Sequence, residues 1–141
     1  MGLLKETSYP EETMSIKIGK ENSDQDKCAM HHLAIADTMD ILNGKWKIRI
    51  IGMLSFGPSR FIELKNRVEG IAAKMLSKEL QDLETNGLIT RTVKSTKPIT
   101  VEYELTSYGH SLKPVIDGIA SWGMEHRKTV INTIKTKGSL G

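Results

Sequence analysis

The sequence predicts a small α+β domain, mainly helical, and three observations carry that prediction. Over most of the chain from Met30 to Thr133, apolar residues recur three and four apart, the spacing of helices with a buried side. Two short runs, Leu88–Ser95 and Thr100–Thr106, alternate with period two instead and read as the strands of a hairpin. Between these regimes, two helical runs are joined by a short turn containing Gly70, the form of a helix-turn-helix.

Residues 1–27 read as a flexible tail rich in Glu, Ser, Asn, Asp and Lys, in which Met14–Ile18 alternates weakly enough to be a short strand or nothing. A helix is expected from about Met30 to Leu42, with Leu33, Ile35, Ala36, Met39, Ile41 and Leu42 buried on more than one side. Asn43-Gly44 ends it. A second helix, about Lys45 to Ser55, carries Trp46, Ile50, Ile51, Met53 and Leu54 and stops at the breaker cluster Phe56-Gly57-Pro58-Ser59. A short helix from Phe61 to Val68 and a longer one from Ala72 to Thr85 follow. The longer one aligns Leu76, Leu80 and Leu83 at i, i+4, i+7 and is closed by Asn86-Gly87.

After the hairpin, a last helical segment runs from about Ser107 to near Thr133. Leu112, Val115, Ile119 and Trp122 are spaced along it, and Pro114 either kinks it or marks its first turns. The order helix, helix, helix-turn-helix, hairpin, helix is that of a winged helix-turn-helix with a two-stranded wing. The domain is expected over residues 28–135, with a short C-terminal tail at 136–141.

Length and composition bound the function. The chain has 141 residues, 38% of them hydrophobic and 26% charged, as in an ordinary soluble domain large enough for a core without metal or disulfide staples. The longest apolar runs fall well short of a membrane span, the N-terminus shows no secretory signal, and the single cysteine, Cys28, allows no intrachain disulfide. These features point to the cytoplasm. Glycine-rich phosphate loops, nucleophile elbows and paired metal-ligand motifs are absent from the sequence, which argues against an enzyme and against any cofactor.

Charge is unevenly spread. Residues 1–40 carry 4 Lys/Arg against 8 Asp/Glu, whereas residues 41–100 carry 11 against 5. The basic part coincides with the helix-turn-helix and hairpin, which suggests a polyanionic partner. With the leucines of the 72–85 helix turned inward, its opposite face shows Ala73, Lys74, Ser77, Lys78 and Gln81. Small and basic residues there can enter a major groove and meet phosphates or base edges. Lys94 and Lys97 flank the hairpin turn, and Arg60 and Lys65 add charge before and within the first helix of the pair. Together these suggest double-stranded DNA as the partner. A solvated surface, or an interaction module of the same fold that has lost DNA, is the rival reading. A steep loss of affinity with salt separates DNA from either.

Several segments are specific enough to be recognised: Asp40-Ile-Leu-Asn-Gly-Lys-Trp46, Ser59-Arg-Phe-Ile-Glu-Leu64, Gly70-Ile-Ala-Ala-Lys-Met-Leu-Ser-Lys-Glu-Leu80, Asp82–Thr92, Val101-Glu-Tyr-Glu-Leu-Thr106, Leu112–Asp117 and Trp122-Gly123. In order and spacing they resemble the HxlR-type, MarR-like family of bacterial winged-helix transcription regulators over about residues 30–125. The resemblance implies a homodimer on an inverted-repeat operator, with the first and last helices forming the interface, acting as a repressor or, less often, an activator.

Three positions depart from the family pattern. Ala72 stands where Ser or Thr usually caps the recognition helix, Ala73 replaces a common polar residue on the groove face, and Thr100 replaces a wing Arg or Lys.

Some relatives sense oxidants through an N-terminal cysteine, but counting back from Gly44-Lys45-Trp46 puts that position at Leu33. Cys28 is therefore read as incidental first and as a redox sensor second. An unidentified small-molecule effector is the other candidate signal. Cys28, His31 and His32 lack a second ligand pair and are not read as a metal site.

Overall fold

The computed structural model describes residues 20–139, and the chain divides at Gly44 into two compact units. The alternation at Met14–Ile18 lies outside the described residues. In the first unit, helix α1 spans Lys20–Ile41 and so begins well before Met30, inside the segment expected to be a tail. It ends with the Leu42 amide on the Thr38 carbonyl at 2.9 Å and the Asn43 side-chain amide on the Asp40 carbonyl at 3.0 Å. Contrary to expectation, Leu33, Ile35, Ala36 and Met39 are exposed. Apolar residues scattered around a helix need neighbours on several sides, and among the described residues α1 is the one element of its unit.

The second unit follows the expected order with one added strand, and the last helical segment, expected unbroken from Ser107, is divided at Ser111-Leu112. Helix α2 (Lys47–Leu54) leads into a two-residue strand β1 (Ser59–Arg60), then α3 (Phe61–Arg67) and α4 (Ala73–Thr85). Strands β2 (Ile89–Lys94) and β3 (Thr100–Leu105) form the wing, followed by a four-residue helix α5 (Ser107–His110) and a long helix α6 (Lys113–Ser139). Instead of a bare hairpin, the sheet has three antiparallel strands in the order β1-β3-β2. Two residues after a Gly-Pro breaker are too few to show a strand period, so β1 left no signal in the sequence. The expected C-terminal tail is helical as far as Ser139. Pro114 lies in the first turn of α6, where a missing N–H leaves no hydrogen bond unmade.

The core of this unit gathers Ile50, Ile51 and Leu54 from α2, Leu64 and Val68 at α3, Ile71 in the turn, Leu76, Leu80 and Leu83 from α4, and Leu88, Ile89, Tyr103 and Leu105 from the wing base. Each is a branched or aromatic side chain whose full burial stabilises by about 1.5–3 kcal/mol. Helix α6 joins this core at Ile116, whose Cγ2 lies 3.6 Å from where a Cβ on Gly52 would be.

The exit from α4 is fixed by a Schellman motif. The Leu88 amide donates to the Leu83 carbonyl and the Gly87 amide to the Glu84 carbonyl, both at 3.0 Å, with Gly87 at φ +74°. That turn sets the angle between α4 and the wing.

Candidate nucleic-acid interface

Helix α4 presents two chemically distinct sides. Leu76, Glu79, Leu80 and Leu83 are buried, whereas Ala73, Lys74, Ser77, Lys78 and Gln81 are all exposed. The expected groove face is thus free, and the leucines opposite it anchor the helix. At its start, Ala72 is the N-cap with extended backbone (φ −80°, ψ 151°) and makes no side-chain capping bond.

Beneath α4 lies a buried ion pair that sequence reasoning missed. The Lys47 ammonium on α2 sits 2.5 Å from a Glu79 oxygen and 3.3 Å from an Asp82 oxygen, so α4 is tied to α2 by charge as well as packing. Burial works to lower the Lys47 pKa, but the hydrogen bonds to Glu79 and Asp82 and their negative charges outweigh it. The net result is a pKa above the ordinary lysine value. A signal existed: Glu79 falls three residues after Leu76 and four before Leu83, on the apolar face, where a carboxylate requires a partner.

The turn between α3 and α4 is held from the same side. Arg49 on α2 donates to the Glu69 carbonyl at 2.9 Å, and its guanidinium lies over the Trp46 ring, 4.9 Å from the centroid. Lys45 also lies over that ring, at 4.7 Å. Such cation–π contacts contribute about 0.5–1 kcal/mol each at exposed sites. Trp46 is half-buried in this cationic cluster.

Strand register sorts the remaining cations. Arg60 pairs with Glu102 across β1 and β3, and Lys94 makes an ion pair with that same Glu102 at 3.2 Å. By the alternation of strands, both lie on the sheet face opposite the buried Ile89, Tyr103 and Leu105. Lys65 on α3 is half-buried, and Lys97 is exposed at the wing tip, where the Thr96 hydroxyl donates to the Pro98 carbonyl at 2.7 Å.

Arg91, not singled out in the sequence, lies on the helix side of the sheet opposite Tyr103. With Ser77, Gln81 and Glu84 of α4 it lines an open cleft of about 320 Å³ between helix and wing.

The other predicted candidates lie apart from this surface. Cys28 is exposed on α1, and among the described residues no group of three His, Cys, Asp or Glu side chains is placed to hold a metal ion. No helix among the described residues is long and apolar enough to cross a membrane. Trp122 and Met124 are exposed on α6, with Trp122 stacked on His126 at 5.1 Å between ring centroids.

A helix-turn-helix whose second helix exposes two lysines opposite its buried leucines, followed by a hairpin wing, is the architecture of a winged helix-turn-helix transcriptional regulator. The chain belongs to the HxlR-like helix-turn-helix family, whose pattern matches residues 41–130. It is 38% identical over 96 residues to the uncharacterized HTH-type transcriptional regulator YtcD of Bacillus subtilis, covering 68% of this chain and 76% of that one. A crystal structure of a MarR-family transcriptional regulator from Porphyromonas gingivalis superposes with a TM-score of 0.62 at 41% identity, over 64% of this chain and 89% of that one. The redox regulator HypR in its reduced form superposes with a TM-score of 0.65 at 31% identity, over 70% and 98%.

Proposed function

We propose that this regulator works as a homodimer on an inverted-repeat operator in cytoplasmic duplex DNA, and that it represses transcription. The observation that carries the reading is the exposed face of α4, where Lys74 and Lys78 stand among Ala73, Ser77 and Gln81 over a fully buried apolar side. In this reading α4 enters the major groove, with Ser77 and Gln81 at base edges or the sugar–phosphate backbone and the two lysines at phosphates or guanine acceptors. Lys97 and Lys94 lie along the backbone or the minor groove, and Arg60 makes a further phosphate contact. Lys94 contributes less than a free lysine would, because Glu102 already neutralises part of its charge.

Dimerisation is supported by the apolar residues that a single chain leaves uncovered. On α6 these include Val115, Ile119, Trp122, Val130 and Ile134, spaced along one side of the helix, and on α1 Leu33, Ile35 and Met39. A second copy is the partner that the symmetry of an inverted repeat demands.

The signal is proposed to be a small molecule or an oxidant. Similarity to a redox regulator supports the second, and Cys28, the chain's one thiol, would have to carry it. Diamide treatment followed by a non-reducing gel tests this, with Cys28→Ser as the control.

The decisive experiment is selection of genomic fragments with purified protein, followed by binding of the enriched duplex across a salt series. The expected result is a palindromic site bound by a dimer, with affinity falling steeply as salt rises. Weak binding equal for all sequences, or none, overturns the proposal.

A further inference from the structure

We propose that the cleft between α4 and the wing seats one sugar–phosphate strand of the duplex, and that Arg91 holds its phosphate. The inference rests on the DNA-binding reading above and assigns a contact that reading does not contain.

The cleft is lined by Ser77, Gln81 and Glu84 from successive turns of α4 and by Arg91 and Tyr103 from paired positions on β2 and β3. Apart from the Glu84 carboxylate, its polar groups are of the kind that bind an anion: hydroxyls, an amide and a guanidinium. Arg91 shares its sheet face with the buried Ile89, so its side chain extends on the same side as α4 rather than with Lys94 on the outer face. The Lys94 charge is engaged by Glu102, whereas Arg91 makes no ion pair among the described residues. The base of the cleft is firm, because Tyr103 is only 8% exposed and the Schellman turn at Gly87 fixes the strand against the helix.

An unpaired guanidinium with its planar fork suits a phosphodiester, which accepts two parallel N–H bonds. Glu84 places the strand along the cleft. It lies two turns, or about 10 Å, beyond Ser77 along α4, so its carboxylate repels a phosphate from that end and leaves the stretch between Ser77 and Gln81. That is also the end of α4 that leads into the major groove in the proposed pose.

The test compares wild type, Arg91→Gln, Arg91→Lys and Glu84→Gln on the selected operator and on a random duplex, each across a salt series. Arg91→Gln is expected to weaken both duplexes by a similar factor, on the order of tenfold. Its salt slope should be shallower by about 2 for a dimer that loses two phosphate contacts. Arg91→Lys should keep the wild-type slope, and Glu84→Gln should tighten binding to both duplexes.

Unchanged affinity in Arg91→Gln overturns the inference. So does a loss confined to the operator with the slope intact, which would make Arg91 a base reader. Weaker binding by Glu84→Gln, a variant that leaves Arg91 in place, overturns it independently of how Arg91→Gln folds. Wild-type protein that binds neither duplex removes the DNA-binding reading itself, a result distinct from all of these.

Discussion

Lys47 on α2 and Glu79 on α4 meet at 2.5 Å, with their side chains only 3% and 8% exposed. Removing one member leaves the other charge buried without its partner, which typically costs about 3–5 kcal/mol. Glu79→Ala is therefore expected to lower stability by about that amount, softened by the Asp82 carboxylate that remains 3.3 Å from Lys47. Lys47→Ala, which strands two carboxylates, should cost at least as much. Urea unfolding of each variant checks both values. The double replacement Lys47→Met with Glu79→Leu should recover most of the loss, since apolar residues of similar volume often replace a buried pair without penalty.

The same pair predicts an alkaline limit to stability. The folded-state pKa of Lys47 is raised above the ordinary value of 10.5 by the carboxylates that outweigh its burial. A raised pKa means that the folded state holds the proton more tightly than the unfolded chain. Its contribution is thus fully present below pH 10.5 and is lost as pH climbs through the higher folded value. Unfolding midpoints measured from pH 9 upward should fall above that point in wild type. The Lys47→Met, Glu79→Leu variant should lose this part of the decline.

Much of the fold was legible in the sequence because local signals agreed. Leu76, Leu80 and Leu83 set the face of α4, Asn86-Gly87 set its end, and the switch to period two set the wing. What escaped were features that depend on distant partners. Lys47 and Glu79 are 32 residues apart, and each alone reads as a solvated charge on a helix. Arg91 looked like any charged residue on an alternating strand until pairing with Tyr103 put it on the helix side. The first turns of α1, from Lys20, are polar and carry no apolar period to mark the start of the helix.

Ala72 offers a test of how much local capping matters here. It occupies the N-cap of α4 with the extended backbone that a capping Ser or Thr adopts, yet it has no side-chain acceptor to offer. Ala72→Ser supplies a hydroxyl for the orphan amides of the first turn and is expected to stabilise by about 1 kcal/mol. Thermal melting should show a rise of a few degrees. No change would mean that those amides are already well satisfied by water.

Gly109 is the point at which the wing base meets the segment leading into α6. A Cβ built there would lie 2.1 Å from the Leu88 carbonyl oxygen, a backbone atom that cannot rotate away. Thr106 locks the same junction: its hydroxyl accepts from the Gly109 amide at 3.0 Å and donates to the Gly87 carbonyl at 2.7 Å. Gly109→Ala should therefore force the junction apart and destabilise by about 1–3 kcal/mol, the usual range for overpacking. Thr106→Ala, which removes the cap without adding bulk, should cost about 1 kcal/mol. Equal losses in the two variants would mean that the capping hydroxyl rather than the close approach governs this junction.

Lys74 and Lys78 decide whether α4 is the DNA-facing element. Both are exposed, neither makes an ion pair among the described residues, and both lie opposite the leucines that anchor the helix. Replacing them by alanine keeps helix propensity high and removes no buried contact, so stability should stay within about 0.5 kcal/mol of wild type. Operator binding should weaken strongly. A dimer that loses four phosphate contacts should show a salt slope shallower by about 3–4. The proposed dimer should persist in sedimentation, because the exposed apolar residues of α6 and α1 to which it is assigned are untouched. Unchanged affinity at matched salt would take α4 out of the interface. A smaller loss with an unchanged slope would instead place the two lysines at base edges, with the phosphates left to the wing.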